Sequence, residues 1–357
     1  MRLPLTRPAK GEYIFGHMFG GIGVVISGCN KLYCALASLR LHDGLSAISG
    51  WHEYTEESHV VKIIKDAGRV CRALGPALLL LDRLYLTVPM LKALALEPML
   101  TVVTKAKINA KAFLDPKPRK KGRGAPSKKG EKIKVASLFE SMAASFTDAC
   151  VSMYGKTEEV SYYCADLLWG DKLYQKLRFV LVWLDGTKTI LATTDLTLAP
   201  VDIIELYCHR FKIECAFREL KQVVAGFGYR FWSKHMQKLN RFKSNEYHQD
   251  LLKNITCKSE RNCIMKTVRA IENFALIGCI SLGLLQMLSL VFAGSFVSKT
   301  IRYMRTPSKA VPSEATVADY LRKTIYQLLH FFPNLAITVI IKSRQSMPDG
   351  SEDKKLA

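Results

Sequence analysis

The chain is short of acid. Its 357 residues carry 31 Asp and Glu against 52 Lys and Arg, a net charge of +21. A soluble protein this basic usually meets a polyanion, most often nucleic acid, with an anionic membrane surface as the rival partner. Paired cysteines are also lacking. The ten cysteines form no C-x-x-C pair and no Cys/His cluster at zinc spacing, which argues against a structural zinc site and for a reducing cytoplasm. The first residues, "MRLPLTRPAKGEY", hold no apolar run, so no signal peptide is expected. No internal repeat is visible. Only one stretch, Phe274 to Val297, is uncharged and long enough to cross a bilayer. Its Gln286, three serines and three glycines favour a buried core helix, with a membrane span as the alternative.

What is present reads as an α/β protein. "YIFGHMFGGIGVVIS", a turn at "GCN" and "KLYCALASLRLHDG" predict an antiparallel strand pair. In "SHVVKIIKDAGRVCRAL" apolar residues recur at helical spacing. "ALLLLD" reads as a buried strand ending in Asp82. "TVPMLKALALEP" comes next as a short helix with Pro89 in its first turn, and "LTVVTKAK" as another strand. Strand, helix and strand with short links imply a parallel crossover. The segment 115–134, "DPKPRKKGRGAPSKKGEKIK", has three prolines and three glycines and, beyond Pro116, nine Lys and Arg against a single Glu131. It reads as a flexible loop, either a solvated linker or a contact for phosphates. "RFVLVWLDGTKTILATTD" predicts a hairpin with its turn at Asp185-Gly186. Pro200 opens a helix with Asp202 in its first turn. The later stretch "FGYRFWSKHMQKLNRFK" sets aromatics beside cations, as base stacking requires and as an ordinary amphipathic surface also does.

The helix after Pro200 carries "LYCHRFKIECAFRELKQ". At 100° per residue, Tyr207, Arg210, Glu214, Arg218 and Lys221 share an arc of roughly 80°. Leu206, Ile213, Phe217, Leu220 and Val224 form an apolar face beside it. One acid among cations could be a salt-bridged surface, through the i,i+4 pairs Arg210–Glu214 and Glu214–Arg218. It could also be a carboxylate with a metal to hold and cations with phosphates to hold.

The spacing Tyr207, two residues, Arg210, three residues, Glu214, six residues, Lys221 resembles the Y-(2)-R-(3)-E-(6)-K signature of a large group of bacterial insertion-sequence transposases. These are DDE enzymes with an RNase H-like catalytic core. "LLLLDRLYLTVPMLKAL…LTVVTKAKINAKAF" resembles the segment around the second catalytic Asp in that group. The basic segment and "GYRFWSKHMQKLNR" resemble it too. The likeness runs from about residue 14 to about residue 245.

The resemblance implies an RNase H-like core with a mixed sheet, a β-rich insertion and C-terminal helices. The expected parts are 1–114, the first part of the core; 115–190, the basic loop and insertion; 191–245, the end of the core with the Glu-bearing helix; 246–345, a helical region; and 346–357, a disordered tail. It implies a metal-dependent polynucleotidyl transferase acting on transposon ends and target DNA. Asp82 and Glu214 are then the catalytic, metal-holding acids, with Mg²⁺ as the ion and Mn²⁺ as its substitute. Arg210 and Lys221 would hold phosphates and Tyr207 would pack near the transposon end. Arg218, Lys105, Lys107, Lys120, Lys121, Lys128 and Lys129 are further candidate DNA contacts. A homodimer in the DNA complex, a nucleoid-associated cytoplasmic location and no small-molecule substrate complete the expectation.

One element departs from the pattern. The family's first Asp lies on a strand before the hairpin, and here no Asp precedes Asp43 in "LHDG". The expectation is therefore an N-terminally incomplete transposase, inactive alone, whose remaining strands lack a ladder partner. Asp43 and Asp195 are rival ligands, whereas Asp185 is explained by its turn. The alternative functions are a non-enzymatic DNA-binding remnant and, after it, a basic membrane-associated protein.

Overall fold

The computed structural model describes residues 17, 19–41, 57–117, 127–236, 252, 255–293 and 311–332, with a few single positions after them. Strands β1 (Phe19–Gly28) and β2 (Lys31–Leu41) form the expected antiparallel hairpin. Cys29 and Asn30 both take positive φ, as a tight two-residue turn between twisted strands requires. Close approach decides one position. A Cβ on Gly23 would lie 2.3 Å from the Cys34 sulfur.

This hairpin is a sheet by itself. The other sheet has eight strands in the order β3-β4-β10-β9-β8-β5-β6, with β7 on β8. Strand β3 (Ala77–Leu81) is its edge among the described residues. It runs parallel to β4 (Leu100–Lys105), as the crossover rule predicts, and all other pairings are antiparallel. The fold is thus α/β with a mixed sheet. Strands β5 (Lys111–Phe113), β6 (Lys132–Lys134), β7 (Thr147–Met153), β8 (Lys156–Trp169) and β9 (Gln175–Leu184) continue that same sheet to β10 (Thr187–Thr193). The β9–β10 turn is at Asp185-Gly186, both at positive φ, as expected.

The basic segment 115–134 is corrected at its far end. Instead of remaining loop, it closes as β6, held on β5 by the register Lys111↔Lys134 and Phe113↔Lys132. The half-buried Ile133 packs on the core, which anchors an otherwise polar stretch. Residues 118–126, with Lys120 and Lys121, lie outside the described residues, as do Asp43 and the tail 346–357.

Helix α1 (His59–Leu74) buries Ile63, Ile64, Ala67 and Cys71 against the sheet. It also buries Asp66, which accepts from the Ser38 hydroxyl and pairs with Arg40 at 3.2 Å and Arg69 at 2.8 Å. A buried acid needs such partners, and these tie α1 to β2. Helix α2 (Val88–Leu94) is capped by the Thr87 hydroxyl, which accepts from Met90 N. A four-residue helix, α3 (Leu138–Ser141), covers the sheet through Phe139.

The uncharged run lies in α6 (Lys258–Val291), which is long and apolar enough to cross a membrane by length and composition. One face is core. Ala275, Cys279 and Leu282 pack with Leu39 and Leu220. Gln286 donates to Cys34 O, and the Ser289 hydroxyl bonds Tyr33 Oη and Pro312 O. The opposite face leaves Ile277, Ile280, Leu284, Met287 and Val291 exposed. Helix α7 (Glu314–Phe331) packs on α6 through Val317 and Ala318.

Candidate functional site

Asp82 follows the last residue of β3, beside the end of β4, because Leu81 pairs with Thr104. Its backbone carbonyl accepts from Thr104 Oγ1 at 3.1 Å and from Tyr85 N at 2.9 Å. Its Oδ1 accepts from Arg83 N at 2.7 Å. Two bonds therefore fix the Asp82 main chain and one holds its half-buried carboxylate at the mouth of the sheet. Thr104 is a positioning residue that the apolar strand pattern does not reveal.

The segment with Glu214 is corrected in one respect. It is not one helix. Helix α4 (Pro200–Cys208) passes through a 3-10 turn at His209–Phe211 into α5 (Lys212–Gln222). A 3-10 turn advances about 120° per residue against 100° in an α-helix, so three residues rotate the downstream helix by roughly 60°. The single arc from Tyr207 to Lys221 is broken there. Arg210, within the turn, still reaches Glu214, with Nη2 2.5 Å from Oε1. Arg218 does not pair with Glu214. It turns to its neighbour Glu219 at 2.8 Å.

The turn brings Arg210 onto Glu214 and within the field of Asp82. Burial works against its charge, but the Glu214 hydrogen bond and the fields of Tyr207, Glu214 and Asp82 raise the guanidinium above its usual value. Tyr207 is half-buried at the same point. Burial foremost pushes its hydroxyl up to about 12, with Asp82 and Tyr154 adding and with Arg210 and a backbone hydrogen bond to Lys105 opposing. Asp82 after β3, Lys105 on β4, Tyr207 on α4, Arg210 in the 3-10 turn and Glu214 on α5 are thus electrostatic neighbours. Asp82 and Glu214 are 132 residues apart in the chain.

Tyr154 joins this group without any expectation from the sequence. It forms the β7–β8 turn with Gly155, at φ 54° and 81°. The hairpin lies on α4, where Glu205 Oε1 accepts from Ser152 N at 2.7 Å. The Tyr154 hydroxyl is held above its usual range. Burial and Cys208 raise it, Arg210 opposes, and Glu214 adds. The one available signal was "MYGK" between two alternating runs, a turn position.

On its other flank Glu214 lines a cleft of about 800 Å³ with Phe217, Arg218, Lys221, Phe227 and Trp232. The basic-aromatic stretch thus folds back beside α5. His17 stacks on Trp232 with ring centroids 4.4 Å apart, and burial holds its imidazole down at about 4. Lys221 Nζ lies 5.8 Å from the Phe227 ring centre. Lys107 and Lys129 stand apart from this group, on a second cleft that begins at Arg83. Lys128 is exposed.

Asp195 is engaged elsewhere. It lies towards the start of β4, the end away from Asp82, because β10 pairs antiparallel with β4. Its Oδ1 accepts from Thr197 N and Oγ1, and these bonds hold the carboxyl below its usual range. Among the described residues no group of three His, Cys, Asp or Glu comes close enough to hold a metal ion.

Compared with known proteins, residues 52–245 match the family model described as the transposase DDE domain. No curated protein matches the chain.

Proposed function

We propose that this chain, which belongs to the DDE transposase family, is a transposase of the kind that cleaves DNA at insertion-sequence ends and joins it to target DNA, with a divalent ion held by Asp82 and Glu214. Product from wild type in the test below would overturn the expectation that it is inactive alone. The family makes it a polynucleotidyl transferase in kind, with DNA as partner and divalent metal in its chemistry. The observation that supports the finer reading is Arg210, which pairs with Glu214 at 2.5 Å and whose charge is favoured by Glu214, then Tyr207 and least by Asp82. Two carboxylates from a strand end and a helix therefore share one electrostatic site.

The donor set fits Mg²⁺, and Mn²⁺ in its place. Hard oxygens suit either ion, and one or two carboxylates commonly suffice when water and phosphate complete the shell. When bound, the ion supplies activation of a water or 3′-hydroxyl and charge stabilisation at phosphorus. The protein's part is placement. The Thr104, Tyr85 and Arg83 bonds hold Asp82 still. Arg210 holds Glu214 until an ion takes its place, which leaves the guanidinium for a phosphate. Tyr207, protonated at neutral pH, offers a hydroxyl near the same point. Lys221 and Arg218 line the aromatic cleft where DNA would continue, and Lys105 ends Asp82's neighbouring strand with Lys107 just beyond it.

A homodimer in the DNA complex fits the exposed stripe on α6. Ile277, Ile280, Leu284, Met287 and Val291 recur every three or four residues, as a helix–helix seam does. The location that suits this reading is the nucleoid.

The test is cleavage of a plasmid carrying the element's own ends, with Mg²⁺ or Mn²⁺, by wild type, Asp82→Asn and Glu214→Gln. Product from wild type alone, with DNA binding kept in all three, supports the assignment. Full activity in either variant overturns it. Binding without cleavage by any of them favours a non-enzymatic DNA-binding role.

A further inference from the structure

We propose that the cleft beginning at Arg83 is a second phosphodiester-binding site, which holds consecutive phosphates of a DNA strand passing Asp82. This rests on the DNA-acting role above and adds a site to it. The cleft measures about 610 Å³, within the roughly 300–1,000 Å³ range of ligand clefts. Separate parts of the chain line it. Arg83 follows β3, Lys107 follows β4, Lys111 lies on β5, and Lys129 and Lys132 lie on the closing leg of the basic segment. Asp171 is the one acid in the lining, and it accepts from Tyr174 Oη at 3.2 Å.

None of the five cations forms an ion pair among the described residues. Like charges gathered in one cleft repel until an anion arrives. The surrounding structure holds them there. Lys129 Nζ lies 4.4 Å from the Phe113 ring centre and 4.8 Å from that of Tyr174, and Lys132 Nζ lies 5.7 Å from Phe113. The two rings meet edge to face at 5.3 Å. Cation–π attraction thus sets the ammonium groups at the cleft. The turn beneath Lys129 needs Gly130, because a Cβ there would lie 2.4 Å from Asp115 O. Gly130 N donates to Leu114 O at 2.8 Å, and the β5–β6 register fixes Lys111 and Lys132.

The donors decide the ligand class. Lysine ammoniums distributed along an open cleft are point charges suited to tracking successive phosphates. Trp169 in the lining offers a surface for a base. Arg83, in its lining, adjoins Asp82 in the chain, so a strand lying in it would pass close to the proposed metal site.

The test uses the full chain and a duplex with a single-stranded tail, with affinity measured across salt concentrations. Joint replacement Lys111→Gln, Lys129→Gln and Lys132→Gln should lower the slope of log K against log salt by about two units, at about 0.7 per single-strand phosphate contact. Lys→Arg at the same three positions should keep the slope, and matching circular dichroism melts would confirm that the Gln protein is folded. An unchanged slope in a folded Gln protein overturns the proposal while leaving the family function standing. If wild type binds no DNA at low salt, the function proposed above fails as well. Displacement of the DNA by sodium tripolyphosphate at equal phosphate concentration would assign the cleft to a free phosphate chain and overturn the proposal.

Discussion

Replacing Tyr154 by Asn should make the protein more stable. Tyr154 sits at φ 54° in a two-residue hairpin turn, a conformation that Asn and Gly adopt readily and a bulky aromatic does not. Holding a non-glycine residue there costs on the order of 1–3 kcal/mol. The side chain recovers little by burial, being 72% exposed. The Tyr154→Asn variant relieves part of that strain, so the net gain should be about 0.5–1 kcal/mol, or about 2 °C in Tm. Differential scanning calorimetry reads the shift, and hairpin register should be unchanged because Gly155 remains. The same substitution removes a phenol from beside Arg210 and Glu214, so DNA affinity should fall while stability rises. A loss of 1 kcal/mol or more would refute the reasoning, by showing that the contact with α4 outweighs the backbone strain.

Gly186→Ala should cost about 1–2 kcal/mol by urea unfolding, since φ 75° puts its Cβ against the following carbonyl. His17 should titrate near 4 by NMR. Its folded value lies below the unfolded 6.5, so the stability from burying the neutral ring is complete above pH 6.5. That contribution is lost as pH falls through about 4, and His17→Phe should flatten this limb of the Tm–pH curve. The α6 helix buries one face on β2, α5 and α7, so carbonate should extract the protein from any membrane fraction. Resistance to extraction would assign α6 to the bilayer.

Much of this arrangement is legible in the sequence where the signal is local. The unit β3–α2–β4 follows from two apolar runs around Pro89, and its parallel sense places Asp82 at a strand mouth. Asp185-Gly186 names its own turn. Elements fixed by distant neighbours leave weaker marks. Leu206, Ile213, Phe217 and Leu220 fit one continuous helix, so nothing in their period reports the 3-10 turn at His209–Phe211. Strand β6 is only Lys132–Lys134, too short to alternate visibly, and exists because β5 offers a partner. Nothing local in the α1 sequence reports that Asp66 is buried against Ser38, Arg40 and Arg69. Tyr154 reaches Arg210 only through the pairing of β7 with β8 and the docking of that hairpin on α4.

The central claim is that Asp82 and Glu214 hold one divalent ion, and affinity cleavage tests it without requiring catalytic turnover. Fe²⁺ is substituted for Mg²⁺ on the full chain, and ascorbate with peroxide generates radicals that cut the backbone beside the bound iron. The account predicts cuts clustered after β3 near residue 82 and at the start of α5 near residue 214, competed by Mg²⁺ and lost in both Asp82→Asn and Glu214→Gln. Cuts elsewhere, or the same two clusters persisting in both variants, would contradict it.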